Sequence, residues 1–282
     1  MAFPSYYSPL QKLGSLMLSA SAYLVLAFLI LPILVVIPLS FNAEPFFSFT
    51  PGMLALEPDA YSLKWYQEII EDDKWLLAIK NSFIIGFFAT LIATTLGTLA
   101  AIGLSNPNMP AQRWIMAVLL SPMIVPLIIT AAGMFFFYTQ FNLAGSYLGV
   151  IIAHAALGTP FVIITVNAAL AGFDYSLVHA SLGLGAKPGY TFFKVIMPLI
   201  RPGVISGALF AFVTSFDEVV VVLFLAGPEQ RTIPRQMFSG LREQINPTIL
   251  AVATLLVIVS ALLLLTLEYL RARSERIRLG TQ

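Results

Sequence analysis

Six stretches of this chain are long and almost wholly apolar: 16–40, 82–104, 114–137, 147–171, 203–226 and 248–270. A helix of about 20 apolar residues spans the ~30 Å hydrocarbon core of a bilayer. The runs are too long for core helices of a soluble domain. They also lack the strict alternation of a membrane β-barrel. Composition agrees: 59% of the 282 residues are hydrophobic and 10% are charged, against about 25% charged in soluble domains. Too few polar side chains remain to cover a water-facing surface. The fold class expected is all-α, an integral membrane protein with six transmembrane helices.

The remaining composition excludes several functions. A net charge of +1 argues against nucleic acid, which demands a strong basic excess. The absence of cysteine rules out disulfides, thiolate chemistry and cysteine-ligated metal. His154 and His179 are far apart in sequence, so no metal site is expected. No HExxH motif, serine–histidine arrangement or metal cluster supports a membrane enzyme. Lys12 precedes the first apolar run as in a signal peptide. That run is too long for an h-region, and Ala20-Ser21-Ala22 sits at its start, so an uncleaved anchor is expected.

Lysine and arginine in short loops set orientation. With the N-terminus cytoplasmic, the inner segments hold Lys12, Arg113, Lys187, Lys194, Arg201, Arg271, Arg273, Arg276 and Arg278. The outer ones hold Lys64, Lys74, Lys80, Arg231, Arg235 and Arg242. The excess is modest, but six spans and the basic tail both put the two termini inside.

Local signals punctuate this plan. Ser105–Pro110 is a proline–asparagine turn. Pro122, Pro126 and Pro160 predict kinks within apolar runs. Asn246-Pro247 reads as N-cap and first position of the last span. Gly203 and Gly207 form a GxxxG pair suited to close helix packing. The outer segment 42–80, with Trp65 and Tyr66 before Glu71-Asp72-Asp73, reads as an interfacial helix with aromatic anchors or as a docking surface.

Two features carry chemistry. Asp217 and Glu218 are adjacent carboxylates in the fifth apolar run. One aspartate near a bilayer centre costs at least about 2.5 kcal/mol. Such a pair is either satisfied by hydroxyls or backbone at a helix interface, or is an electronegative patch for a cationic solute. Adjacent helical positions diverge by about 100°, so the two acids are expected to face different surroundings. The second feature is the loop 172–202: a short helix, a Lys187-Pro188-Gly189 turn, a second short helix, and a proline break at Pro198. Its glycines do not form a phosphate loop, because Pro188 follows Lys187 where serine or threonine is needed.

The loop resembles the EAA motif of ABC-importer permease subunits. His179-Ala180-Ser181, Gly185 and Ile196-Met197-Pro198 hold the motif's places. The resemblance covers spans two to six and implies a type-1 ABC importer permease fold in the bacterial inner membrane. With the spans and orientation read above, the expected plan is a cytoplasmic N-terminus at 1–15, a first transmembrane helix at 16–40 and a periplasmic segment at 41–81. A permease core at 82–270 then carries the coupling loop 172–202, before the basic cytoplasmic tail at 271–282. His179, Ala180, Ser181, Gly185, Ala186 and Pro198 would be the ATPase-coupling residues. His179 stands where the family has glutamate, and Ser181 where it has alanine. A glutamate there would complete a capping box with Ser176.

The stretch around Asp217, with Leu223–Pro228 and Asn246–Ile249, is similar to the polyamine branch of that family. The resemblance implies no enzyme activity and no cofactor on this chain, with ATP and magnesium held by a partner ATPase. Implied partners are a homologous second permease, two cytoplasmic ATPase subunits, a periplasmic substrate-binding protein and the lipid bilayer. The substrate path would use Asp217, Glu218, Phe216 and Tyr138, with Phe135 and Phe212 as further rings. Charge-assisted bonds and cation–π contacts would hold an ammonium chain. The same fold carrying an opine, an amino-acid derivative or another small solute is the alternative. A stand-alone channel or secondary carrier is the alternative of a different class.

Overall fold

The computed structural model describes residues 8–106, 108–243 and 246–279, with backbone alone at 242–243, 263–264 and 266–279. Pro107 and the side chains of Arg242, Arg271, Arg273, Arg276 and Arg278, which the orientation argument used, lie outside the described residues. Among the described residues there is no strand; one bridge pairs Asn42 with Tyr61. The first helices are α1 Pro9–Leu39, α2 Pro51–Leu54, α3 Lys64–Glu71 and α4 Asp73–Leu104. Next come α5 Gln112–Ile124, α6 Leu127–Thr139, α7 Tyr147–Leu170, α8 Ser176–Gly183 and α9 Pro188–Thr191. The last are α10 Met197–Phe216, α11 Val220–Leu225, α12 Ile233–Glu243 and α13 Thr248–Leu279.

Four helical runs are long and apolar enough to cross a membrane: α1, α4, α7 and the continuous stretch Pro188–Phe216. The pair α5–α6 makes a fifth if taken as one span. In α13 the described apolar part is the shorter Thr248–Leu262. All six apolar stretches fall largely on helix; the third is bent at one of the prolines expected to kink it, and the fifth is not the continuous span expected. The third is bent by 104° between α5 and α6. Pro126 explains the break: it forces Val125 out of the helical region, to ψ 135°, because its ring clashes with a helical predecessor. Pro160, in contrast, is absorbed within an unbroken α7.

The fifth stretch, expected as a helix over 203–226 after a proline break, is shifted. Helix runs from Pro188 to Phe216 and then stops. Pro198 does not break it. Residues Phe192–Ile196 instead form a π turn, with the Met197 N–H reaching back to the Phe192 carbonyl. A proline ring crowds the carbonyl four residues earlier, and the wider turn relieves that crowding.

The chain divides into two compact units, Met1–Asp72 with Gly240–Gln282, and Asp73–Ser239. In the first, the segment after α1 is built around Asn42, which is fully buried. Its amide donates to the Phe46 and Ser48 carbonyls at 3.1 Å and accepts from the Glu44 N–H at 2.9 Å. The Trp65 indole N–H donates to the Asn42 carbonyl at 2.7 Å. The Tyr66 hydroxyl pairs with Ser40 at 2.6 Å. Trp65 and Ile69 are buried, so α3 packs its aromatic side inward and Trp65 is not an interfacial anchor. Glu68 then accepts from Asn246 Nδ2 at 2.9 Å and Thr248 Oγ1 at 2.8 Å. The Asn246 side chain caps the Thr248 N–H at 3.0 Å, as its place before Pro247 suggested.

The second unit is a core of α4, α7 and α10 in backbone contact. A Cβ on Gly203 would lie 2.7 Å from the Ala169 Cβ, and one on Gly207 would lie 2.8 Å from the Val162 Cα. A Cβ on Gly97 of α4 would meet Val162 at 2.7 Å. The GxxxG pair thus packs α10 on α7. Opposite the loop end, a polar network joins the tips of α4 and α7 to the segment 226–236. Buried Asn81 donates to the Glu229 and Arg231 carbonyls at 2.7 and 2.9 Å. The Tyr147 hydroxyl donates to Asn81 Oδ1 at 2.9 Å, and the Ile233 N–H to Ser82 Oγ at 2.9 Å.

Candidate functional site

The acidic pair sits at a helix break, and the break gives its two members different roles. Glu218 is buried. Its Oε1 accepts the Val221 N–H at 2.8 Å, so it caps the first turn of α11. A carboxylate there is compensated by the free amides at the helix start. Asp217 is the C-terminal cap residue of α10 and is exposed. Its side chain makes no hydrogen bond among the described residues, and it lies at the negative end of the helix dipole. Of the two alternatives weighed for the pair, Glu218 takes the backbone-satisfied one and Asp217 is left available to a cation.

Phe216 stacks on Phe212 with centroids 5.4 Å apart and meets Phe83 edge-on at 5.3 Å. Phe83, on α4, is exposed. Asp217 thus directly follows a cluster of three rings, one of which, Phe83, no sequence signal singled out. Tyr138 lies elsewhere: it is 6% exposed and belongs to the packed core, with Phe137 as its ring neighbour. Phe135 is half-buried against the same core.

The loop end is a second site. Helix α8 begins one residue earlier than a Ser176 cap would require. Ser176 is its first helical residue, and Asp174 Oδ1 accepts the Ser176 N–H at 2.9 Å. The Ser176 hydroxyl and then its N–H, both donating to the Asp174 carboxyl, hold it below the usual aspartate range. Position 179 is therefore one residue past the place a capping-box glutamate would occupy. The helix ends in a Schellman motif: Gly185 N–H bonds Leu182 O at 2.9 Å and Ala186 N–H bonds Ser181 O at 3.1 Å. Gly185 has φ +87°, the left-handed conformation that favours glycine. Ser181 Oγ pairs with buried Thr191 at 2.9 Å, tying α8 to α9.

His179 and Ala180 are exposed, Ser181 and Ala186 half-buried, and Pro198 exposed. His179 borders a groove of about 480 Å³ with Tyr175, Asn106 and Ile196. Across it the Tyr175 hydroxyl donates to Ser105 Oγ at 2.6 Å, which links the loop to the end of α4. Ser181, Gly185, Lys187 and Tyr190 line a second groove of about 460 Å³. The described residues hold no group of three or more metal-ligating side chains.

Comparison with known proteins places this architecture in a class. Residues 93–276 match the family of binding-protein-dependent transport system inner membrane components, and the chain belongs to it. The chain is similar to the spermidine/putrescine transport system permease protein PotC of Haemophilus influenzae, 29% identical over 91% of this chain and 96% of that one. It is 30% identical to the putrescine transport system permease protein PotI of Escherichia coli K12, over 89% of each. The fold matches a chain of a bacterial ABC transporter that imports alginate. The TM-score is 0.69, at 15% identity, over 95% of this chain and 99% of the other. The type-1 importer permease fold is thus present, and the reading as a stand-alone channel or secondary carrier falls away.

Proposed function

We propose that this chain and a second, homologous permease form the path for ATP-driven uptake of polyamines across the bacterial inner membrane. Both termini lie in the cytoplasm. A periplasmic binding protein delivers the cation at the end opposite the loop. Two ATPase subunits, which hold ATP and magnesium, grip the loop through His179, Ala180, Ser181, Gly185, Ala186 and Pro198. This chain carries no catalytic group. Asp217 faces the path with Phe216 and Phe83, while Glu218 and Tyr138 support the wall behind them.

The observation that carries the reading is the exposed carboxylate of Asp217, without a hydrogen-bond partner among the described residues, directly after Phe216, whose ring packs with Phe212 and Phe83. It lies 14 residues beyond Gly203, roughly 21 Å along the helix. A charge at that depth is tolerated where it faces a partner or a wet cavity, and a flexible chain of ammonium groups matches both the charge and the ring faces. The test is uptake of labelled putrescine and spermidine by Asp217→Asn in the assembled transporter. A charged hydrogen bond is worth about 1.5–3 kcal/mol, so KM rises about 10- to 150-fold while the subunits still assemble. Unchanged uptake with intact assembly would sink the polyamine reading in favour of an opine, amino-acid derivative or other small solute.

A further inference from the structure

We propose that His154 is a positioning residue: through Ser215 it fixes the side of α10 from which Asp217 projects. This rests on the reading of Asp217 as the cation-facing group.

Helices α7 and α10 run against each other as a ladder with one rung per turn. Gly207 meets Val162 and Thr165, and Ala211 meets Gly158, where an added Cβ would lie 3.0 Å from the Ala211 Cβ. These contacts bring the backbones together but have no direction, and a smooth glycine–alanine seam lets one helix rotate on the other. The next rung differs. His154 Nδ1 and Ser215 Oγ are 2.8 Å apart, and both residues are buried. This is the one side-chain hydrogen bond across the interface among the described residues. A hydrogen bond fixes orientation as well as distance.

It sits at the decisive place. Ser215 is in the last turn of α10, and the helix stops at Phe216. Successive helical residues point about 100° apart, so Ser215, Phe216 and Asp217 divide the circumference into three. Ser215 is bound to α7 and Phe216 packs on Phe83 of α4. Asp217 is left on the third, open side. The histidine's other nitrogen, Nε2, is buried without a partner. An apolar residue of similar volume would fill this site without that cost, so packing alone does not account for the imidazole.

The chain has no cysteine, so a single Asp217→Cys change gives a unique label site on this subunit, whose labelling is read from its own band in the assembled transporter. Its rate of reaction with a charged, membrane-impermeant thiol reagent reports the direction of position 217 without reference to substrate. Adding Ser215→Ala is expected to change that rate about fivefold, the weight of one hydrogen bond. Adding Ser215→Thr, which keeps the hydroxyl, leaves it within about twofold. If Ser215→Ala fails to assemble, His154→Leu gives the same comparison. With Asp217 intact, Ser215→Ala raises the KM for putrescine and leaves Vmax in place, and Ser215→Thr restores the KM. Unchanged labelling in both Ser215→Ala and His154→Leu overturns the inference. Changed labelling together with an unaltered polyamine KM in Asp217→Asn supports the positioning role and removes the polyamine reading instead.

Discussion

Gly185 shows how a motif glycine follows from backbone geometry. The Schellman closure of α8 needs a left-handed residue after the helix, and Gly185 supplies it at φ +87°. An alanine there costs roughly 1–2 kcal/mol. Gly185→Ala is therefore expected to weaken transport-coupled ATP hydrolysis, with Gly185→Asn milder; equal rates for both variants and the parent would contradict this. His179 is open to question in another way. It is exposed on α8 beside Tyr175, and it does not occupy the capping position. His179→Glu should leave α8 intact, and profiles of coupled hydrolysis from about pH 6 to about pH 8 that match the parent remove any role for the imidazole charge. Asp174 does the capping. Because its folded pKa is lowered, its contribution is complete above the ordinary aspartate range and is lost only as pH falls through the lowered value. The cap is thus fully present at neutral pH, and Asp174→Ala should loosen α8 there, seen as faster proteolysis of the loop.

At the scale of elements, the glycine seam is the most exacting feature. A side chain at Gly207 must enter space held by the Val162 backbone, whereas Gly133 has nothing within 4 Å of an added Cβ. Gly207→Val is expected to cost about 1–3 kcal/mol or more through overpacking, and Gly133→Ala should be tolerated. Thermal unfolding of the purified protein in detergent compares them. Much at this scale was legible in the sequence: the apolar runs, the Asn246 cap and the loop glycine act through neighbours a few residues away, and the GxxxG pair shows as a spacing even though its partners lie on α7. The rest was not. Nothing in Ser215-Phe216-Asp217-Glu218 resembles a helix break, since it contains neither glycine nor proline; the stop is bound up with Glu218 capping a new helix. Pro198 looked like a breaker because the remedy, a π turn, lies in the residues before it. His154 and Phe83 were hidden inside apolar runs, and only tertiary pairing with residues far along the chain gives them a part.

At the scale of the whole molecule, the assembly makes its own prediction. Family membership makes this chain one component of a binding-protein-dependent system, so ATPase subunits should co-purify with it. Shortening the loop by removing 184–190 should abolish that association while leaving the chain in the membrane. Subunits that still co-purify would place the contact elsewhere.

The hydrogen bonds within the second unit are unevenly distributed. At one end Asn81, Ser82 and Tyr147 bind the backbone of the segment 229–233 directly, at fixed main-chain sites. At the other, α8 and α9 are joined by a hydroxyl pair, and the loop meets α4 through the bond from Tyr175 to Ser105. Hydroxyls exchange partners with little penalty, whereas a buried carboxamide stripped of its carbonyls does not. A push on the loop is therefore expected to be taken up first by these hydroxyl joints, before the end held on main-chain carbonyls responds.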